Sequence, residues 1–381
     1  MIRKTYLYEN SFWNDSLDGT LDSLNTLVIC FGSSQYDLIK TGMDEIYRVF
    51  KNSIIIGCST AGEIYNNELY ENSLSIAVIK FEKSMIKLEK HKLNSSEESY
   101  DVGIYLANNL YEDDLKGIFV LSDGLNVNGS QLTKGLNSIL RENKIVVTGG
   151  LAGDDDKFEQ TWLLINNKPQ SNYVTALGFY GNELNISHGS HGGWSKFGIK
   201  RTVTKSNSHV LYELDNKPAL EVYKTYLGLN SKDLPYTGLF YPLMIKEDSN
   251  SEEKVRTILA INEKEASITF AGDIPVGSTV MFMKASFNEL IQGAHKAALS
   301  ETILEHKDEK AINLAISCVG RKLVLGQKSE EEIEAVTKNF SNNVLQVGYY
   351  SYGEISPLNS GACDLHNQTM TLTLIWECED D

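Results

Sequence analysis

A short apolar run that ends in a glycine-bearing turn and a carboxylate occurs three times in the chain: Gly57 to Glu63 (GCSTAGE), Gly149 to Asp154 (GGLAGD) and Gly348 to Glu354 (GYYSYGE). A strand, a turn and an acid that recur in this order mark internal duplication, and each copy must then build the same supersecondary unit. Glycine lets the backbone take φ > 0 or approach another group closely, and the acid that follows is delivered to the same end of each strand. Three such ends are expected to converge on one site, with Gly62, Gly153 and Gly353 in equivalent places.

The flanking patterns extend each copy. Thr26 to Phe31 reads as a strand, Leu38, Met43, Ile46 and Phe50 follow at helical spacing, and Ile54 to Ile56 enters the first turn. Leu74 to Phe81 then alternates as a half-buried strand. The second copy has Ile118 to Leu121, a helix around Leu132 to Leu140, Ile145 to Thr148, and strands at Trp162 to Ile165 and Tyr173 to Tyr180. The third has Ile312 to Ser317, a helix over Glu330 to Phe340 with Ser329 and Glu332 as a capping box, Val344 to Val347 and Met370 to Trp376. Between the second and third copies, Pro218 and Gly228 frame a helix, Thr257 to Phe270 reads as a hairpin, and Phe287 to Glu305 as a long amphipathic helix. The polar stretch Lys246 to Lys254 is expected to be an exposed loop.

These elements predict an α/β (α+β) chain of two modules, residues 25–200 and 209–380, with the boundary near Lys200 to Ser208. Each module is built of duplicated β-α-β-turn-β units, as mixed sheets with helices packed outside. The preferred arrangement is a four-layer α/β/β/α body; two separate sandwiches satisfy the same pattern.

With 381 residues, 41% hydrophobic and 23% charged, the chain is long enough for two cores. Its formal net charge of −16 argues against nucleic acid and anionic membranes as partners, since phosphate recognition rests on lysine and arginine. The first residues, MIRKTYLYENSFWND, contain no apolar stretch of signal-peptide length. Cys30, Cys58, Cys318, Cys363 and Cys378 are odd in number, widely spaced and without a C-x-x-C pair, which points to free thiols in a reducing compartment. A cytoplasmic location is expected.

Several motifs in order resemble the FIST family. GCSTAGEI, GGLAGDD, the run Cys318-Val319-Gly320-Arg321 with Gly326 and the acidic helix after it, and GYYSYGEI followed by Leu365-His366-Asn367-Gln368-Thr369 are similar to its amino-terminal and carboxy-terminal modules over roughly residues 25 to 380. The resemblance implies an intracellular, bacterial-type sensory module of signal transduction that binds a small ligand such as an amino acid. Many relatives are fused to output domains, so a chain of these modules alone is expected to signal through a separate protein.

The residues themselves agree in part. Glu63, Asp154, Asp155 and Glu354 at strand ends offer carboxylates to an ammonium group, and Arg321 offers a planar fork to a carboxylate. Backbone amides at Gly62, Gly149 and Gly150 add donors. Cys58, Ser59, Thr60, Tyr352, His366 and Asn367 complete the candidate ligand site, with no metal and no cofactor. The plain alternative for each position is that these glycines and acids only make tight turns and cap helices.

Two competing readings remain at this level. A hydrolase-like enzyme would use Cys58 or Ser59 with His366 as base, although GCSTAG misses the G-x-S-x-G spacing of a nucleophile elbow. A haem protein sensing nitric oxide, known among proteins similar to FIST modules, would use His188, His191 or His209 as axial ligand. No C-x-x-C-H attachment motif is present, and His188 and His191 have no nearby third ligand for zinc.

Overall fold

The computed structural model describes residues 1–143 and 145–378. Three strand-helix-strand units are present. Thr26–Ser33 leads through the helix Tyr36–Val49 to Ile54–Thr60. Leu115–Ser122, the helix Gly129–Leu140 and Val146–Leu151 make the second. In the third, Ala311–Cys318 and Val344–Ser351 flank two helices, Val319–Leu325 and Ser329–Thr337.

The leading glycine of each motif holds the same place. Within each unit the two strands pair in parallel, with Gly57 opposite Cys30, Gly149 opposite Val120 and Gly348 opposite Ala315. A Cβ at these glycines would stand 2.3, 1.9 and 1.8 Å from the carbonyl oxygens of those same partners. Close approach of strand to strand therefore requires the glycine, which confirms the duplication at the level of register. Of the turn glycines Gly62, Gly153 and Gly353, only Gly62 uses a positive φ, 131°.

After its turn each unit lends a hairpin to a neighbour. Glu63–Tyr65 and Glu68–Tyr70 extend the third sheet beside Val344–Ser351. Leu163–Ile165 and Lys168–Gln170 extend the first beside Ile54–Thr60, and Gly353–Pro357 with Cys363–His366 extend the second beside Val146–Leu151. The chain then returns to its own sheet through the antiparallel strands Leu74–Lys80, Tyr173–Tyr180 and Met370–Glu377. Ile2–Glu9, Met85–Lys92 and Leu184–His191 pair with these return strands in turn.

The α/β class and the mixed sheets follow the sequence, whereas the four-layer body does not. Three interlocked sheets share one core, because the exchange of hairpins closes a ring of three. Alternation along each strand puts Leu27, Ile29 and Phe31 into this shared core with Phe119, Leu121, Leu314 and Ile316. The intervening Val28 and Cys30 pack outward against Ile39, Met43 and Ile46 of the first helix. Burying each such side chain contributes about 1.5–3 kcal/mol, so the sheets are held from both faces. No helix among the described residues is long and apolar enough to cross a membrane.

The triplication is broken once. Between Leu184–His191 and the helix Phe287–Ala298 the chain inserts a fourth sheet, which runs from Ser195–Asn207 to Thr279–Lys284. The helix Ala219–Leu227 packs on it, framed by Pro218 and Gly228 as the sequence predicts, though they stand at its two caps and not at the first helical and C′ positions. Lys246 to Lys254 closes a hairpin between Leu243–Lys246 and Lys254–Arg256. The boundary expected at 200–208 falls inside the strand Ser195–Asn207, whose polar composition (SKFGIKRTVTKSN) hides it. The helix expected over Phe287 to Glu305 ends at Ala298, and a short helix follows at Glu301–Leu304. Its start is fixed by a capping box of Ser286 and Glu289. The box expected at Ser329 does not form, because Ser329 Oγ donates to the Gly326 carbonyl at 2.8 Å and Glu332 turns into the core.

Candidate functional site

The three repeated turns do converge, but on one another. Ala61 N–H donates to Tyr350 O at 2.8 Å, Gly153 N–H to Ser59 O at 3.0 Å and Tyr352 N–H to Leu151 O at 3.3 Å. Their carboxylates are buried and internally satisfied. Glu63 accepts from the Thr60 hydroxyl, and from Ser73 N–H and Oγ at 3.0 and 2.8 Å. Glu354 repeats the pattern, accepting from Ser351 Oγ at 2.7 Å and Thr369 N–H at 3.2 Å. Asp154 takes the Tyr352 hydroxyl and the amides of Phe158, Glu159 and Gln160 at 2.9, 2.8 and 2.7 Å. Each acid ties its turn to backbone further along the chain. Burial pushes Glu63 up to about 7 and Glu354 up to about 8, against hydrogen bonds that act the other way.

Arg321 is not at an open strand end. It is fully buried, with Nε and Nη2 on Glu332 at 3.0 and 2.7 Å, Nη2 on Leu290 O at 2.8 Å, and Nη1 on the Gly192 and Gln368 carbonyls. Glu332 also accepts from Ser317 Oγ at 3.0 Å and the Tyr350 hydroxyl at 2.7 Å. All five donors are spent, and none is left for a ligand. Gly149 and Gly150 likewise lie inside a strand paired with Ile355 and Glu354. They form no anion nest.

The next residue supplies the cation that the sequence reading missed. Lys322 Nζ reaches Ala61 O at 2.9 Å, Glu71 at 2.8 Å and Asp155 at 3.1 Å. It lines a polar cavity of about 140 Å³ together with Thr60, Gly62, Glu63 and Asp155. Cys58 is buried in the shared core, where burial raises its thiol, and Ser59 Oγ accepts from Trp162 N–H at 3.0 Å. His366 Nε2 meets Ser356 O at 3.0 Å, in a different hairpin. The nucleophile and base of the enzyme reading are therefore not brought together.

The histidines are also separated. His188 and His191 are three apart on the strand Leu184–His191 and so point to opposite faces. Burial lowers His188 to about 4, and His191 Nδ1 accepts from Gly193 N–H at 3.0 Å. His209 sits in the turn between the strands Ser195–Asn207 and Val210–Leu214 of the inserted sheet and lines a cavity of about 490 Å³. Among the described residues no group of three or more His, Cys, Asp or Glu could hold a metal ion.

A second kind of site forms where the insertion meets the body. A cleft of about 310 Å³ has Cys318, Gly320, Leu323 and Asn367 of the third unit on one wall, and Tyr236, Leu239 and Thr257 of the insertion on the other. Phe158 and Tyr352 stack at 4.4 Å, with 16° between their planes, and separate the cleft from the cavity at His209. The stack places the second unit at the same cleft. Asn367 donates Nδ2 to His366 O at 3.0 Å, while its Oδ1 and the Thr257 hydroxyl are buried without a hydrogen-bond partner. Around the cleft the two parts are pinned by Arg256 Nη1 to Leu365 O at 3.1 Å, Trp194 Nε1 to Gln368 O at 3.0 Å and Gln368 Nε2 to Leu239 O at 3.3 Å. Of the sequence candidates only Tyr352 and Asn367 line this cleft. The run Cys318-Val319-Gly320 at a strand-to-helix junction was the signal for its floor; Thr257, Tyr236 and Phe158 carried none.

The FIST N domain matches residues 26–217 and the FIST C domain residues 219–357. An uncharacterised protein of Methanocaldococcus jannaschii is 24% identical over an alignment of 360 residues, which covers 84% of this chain and 67% of that protein. A solved cyanuric acid hydrolase from A. caulinodans superposes over 99% of both chains with a TM-score of 0.39 and 6% identity. With its two domains matched in order, the chain belongs to the FIST family, whose domains are sensory domains of signal transduction.

Proposed function

We propose that this protein is a FIST sensor that binds a small metabolite with an amino group, a compound related to an amino acid, in the cleft between the inserted sheet and the three-sheet body, without chemistry. The observation that carries this reading is the largely apolar cleft lined by both parts of the chain, whose walls include Thr257 and Asn367, each with a buried oxygen that has no hydrogen-bond partner. Buried polar atoms are normally hydrogen-bonded, so two left without a partner in residues that line one cavity favour a ligand that completes them once these side chains turn toward it. Volume decides against the polar cavity at the repeated turns. At about 140 Å³ it is below the ~300 Å³ at which ligand sites begin, whereas the cleft is at about 310 Å³. A ligand that touches both walls changes how insertion and body are held, and a signalling output reads that change.

The test is a thermal-shift screen of amino acids and related small amines and amides. A ligand that binds only the folded state adds about 2.7 kcal/mol at a hundredfold excess over Kd, a rise of a few degrees in a chain this long. At least one compound is expected to stabilise the parent and to fail with Leu323→Trp, which fills the cleft. A compound that stabilises both proteins equally places the site elsewhere.

A further inference from the structure

We propose that the cleft selects an amine with an apolar body and rejects molecules that carry a free carboxylate. This rests on the cleft being the ligand site and names the class of ligand it takes.

The charge of the lining is one-sided. Asp156 from the second unit and Asp233 from the insertion stand at the cleft, both exposed, and neither forms an ion pair with a described residue. Among the described residues no lysine, arginine or histidine lines it. Lys157 and Lys232, next in sequence to the two aspartates, are exposed but do not line the cleft. Lys322 leaves the same helix as Gly320 and Leu323, yet lines the polar cavity, paired with Glu71 and Asp155 at 2.8 and 3.1 Å. Arg256, next to Thr257, is buried and donates to the carbonyls of Asp273 and Leu365 at 3.2 and 3.1 Å. A carboxylate entering the cleft would meet two like charges and find no cation in the described lining.

The hydrogen-bonding capacity left open has the same sense. Asn367 has spent an amide hydrogen on His366 O and keeps a carbonyl oxygen free, and the Thr257 hydroxyl keeps its lone pairs. The two carboxylates and the Asn367 oxygen call for a ligand that donates, the Thr257 hydroxyl can accept or donate, and an ammonium donates three times. The rest of the lining suits an apolar or aromatic body: the stacked pair of Phe158 and Tyr352, with Tyr236, Leu239 and Leu323. Aromatic rings beside an ammonium add attraction through their faces. The net charge of −16 draws cations to the protein in general.

The experiment is calorimetric titration of the full chain with four probes of nearly one shape: 2-phenylethylamine, 2-phenylethanol, 3-phenylpropionate and phenylalanine. The amine is expected to bind at least tenfold tighter than the alcohol, phenylalanine at least tenfold weaker than the amine, and the propionate not at all. Asp233→Asn and Asp156→Asn should each weaken the amine severalfold and leave the alcohol unchanged. Propionate or phenylalanine binding as tightly as the amine overturns the proposal, as does an amine that fails to bind at millimolar concentration or that ignores both aspartate variants. Leu323→Trp keeps the two readings apart. Propionate binding that this variant blocks sinks the amine preference and leaves the cleft standing, whereas amine binding that it does not block sinks the cleft.

Discussion

The repeated turns and the interdomain cleft handle polar groups in opposite ways. At the turns, Glu63, Asp154 and Glu354 are buried and each accepts from hydroxyls and backbone amides of its own hairpin or its neighbour's. At the cleft, Asn367 and Thr257 keep oxygens unpartnered and Asp156 and Asp233 stand without a cation. What recurs three times holds three sheets together, and what occurs once, the insertion in the third unit, makes room for a ligand. Repetition in this chain marks scaffolding; the break in the repetition marks the site.

The largest effect that can break this contrast is at Arg321. Removing one partner of a buried, hydrogen-bonded ion pair costs about 3–5 kcal/mol, because Glu332 would remain buried and unpaired. Arg321→Ala should therefore shift the denaturation midpoint sharply downward with or without ligand. If the variant unfolds like the parent and loses only ligand affinity, Arg321 belongs to the binding site and the contrast is wrong.

Similar in size for each residue is the pH response of the turns, which two carboxylates share. Because burial raises Glu63 to about 7 and Glu354 to about 8, the folded protein binds more protons than the unfolded chain between the usual carboxylate range and those values. Stability contributed in this way is complete at low pH and is lost as pH rises through about 7 and 8, by on the order of 3 kcal/mol for Glu63 at 1.4 kcal/mol per pKa unit. Chemical denaturation at pH 5, 7 and 9 should show the decline, and Glu354→Gln should flatten it. A parent whose stability rises over that interval would mean that these carboxylates are charged partners in an open site.

Much of the scaffold was legible before any coordinates, since Gly57, Gly149 and Gly348 announce the three places where a strand must pass within contact of its neighbour's carbonyl. The exchange of hairpins was not, because local pattern gives the strand Glu63–Tyr65 but says nothing of which sheet receives it. Met85–Lys92 and Ser195–Asn207 were missed for a related reason: MIKLEKHK and SKFGIKRTVTKSN are half-exposed strands with little apolar signal. At the site, the acids of the turns were found and misread. A carboxylate at a strand end looks the same in sequence whether it faces solvent or receives three amides, and only the neighbouring turn decides. Arg321 and Lys322 show how fine the margin is, with one buried in an ion pair and the next lining a cavity.

The smallest effect on stability is expected at Asn367, which sharpens the contrast from the other side. Its side chain donates one hydrogen bond, to His366 O at 3.0 Å, and its Oδ1 gains nothing in the folded protein. Asn367→Ala removes one modest bond and relieves one unpaired acceptor, so the net change should lie within about 1 kcal/mol of zero. The void it leaves joins the cleft and does not form a sealed cavity, so no further packing penalty is added. Ligand affinity should nevertheless fall by about tenfold, the value of one lost hydrogen bond of roughly 1.4 kcal/mol between buried partners. Denaturation and calorimetric titration on the same preparation separate the two quantities. A loss of several kcal/mol in stability with affinity unchanged would put Asn367 among the residues that hold the sheets together, and the cleft would then have lost one of the two open oxygens on which its reading rests.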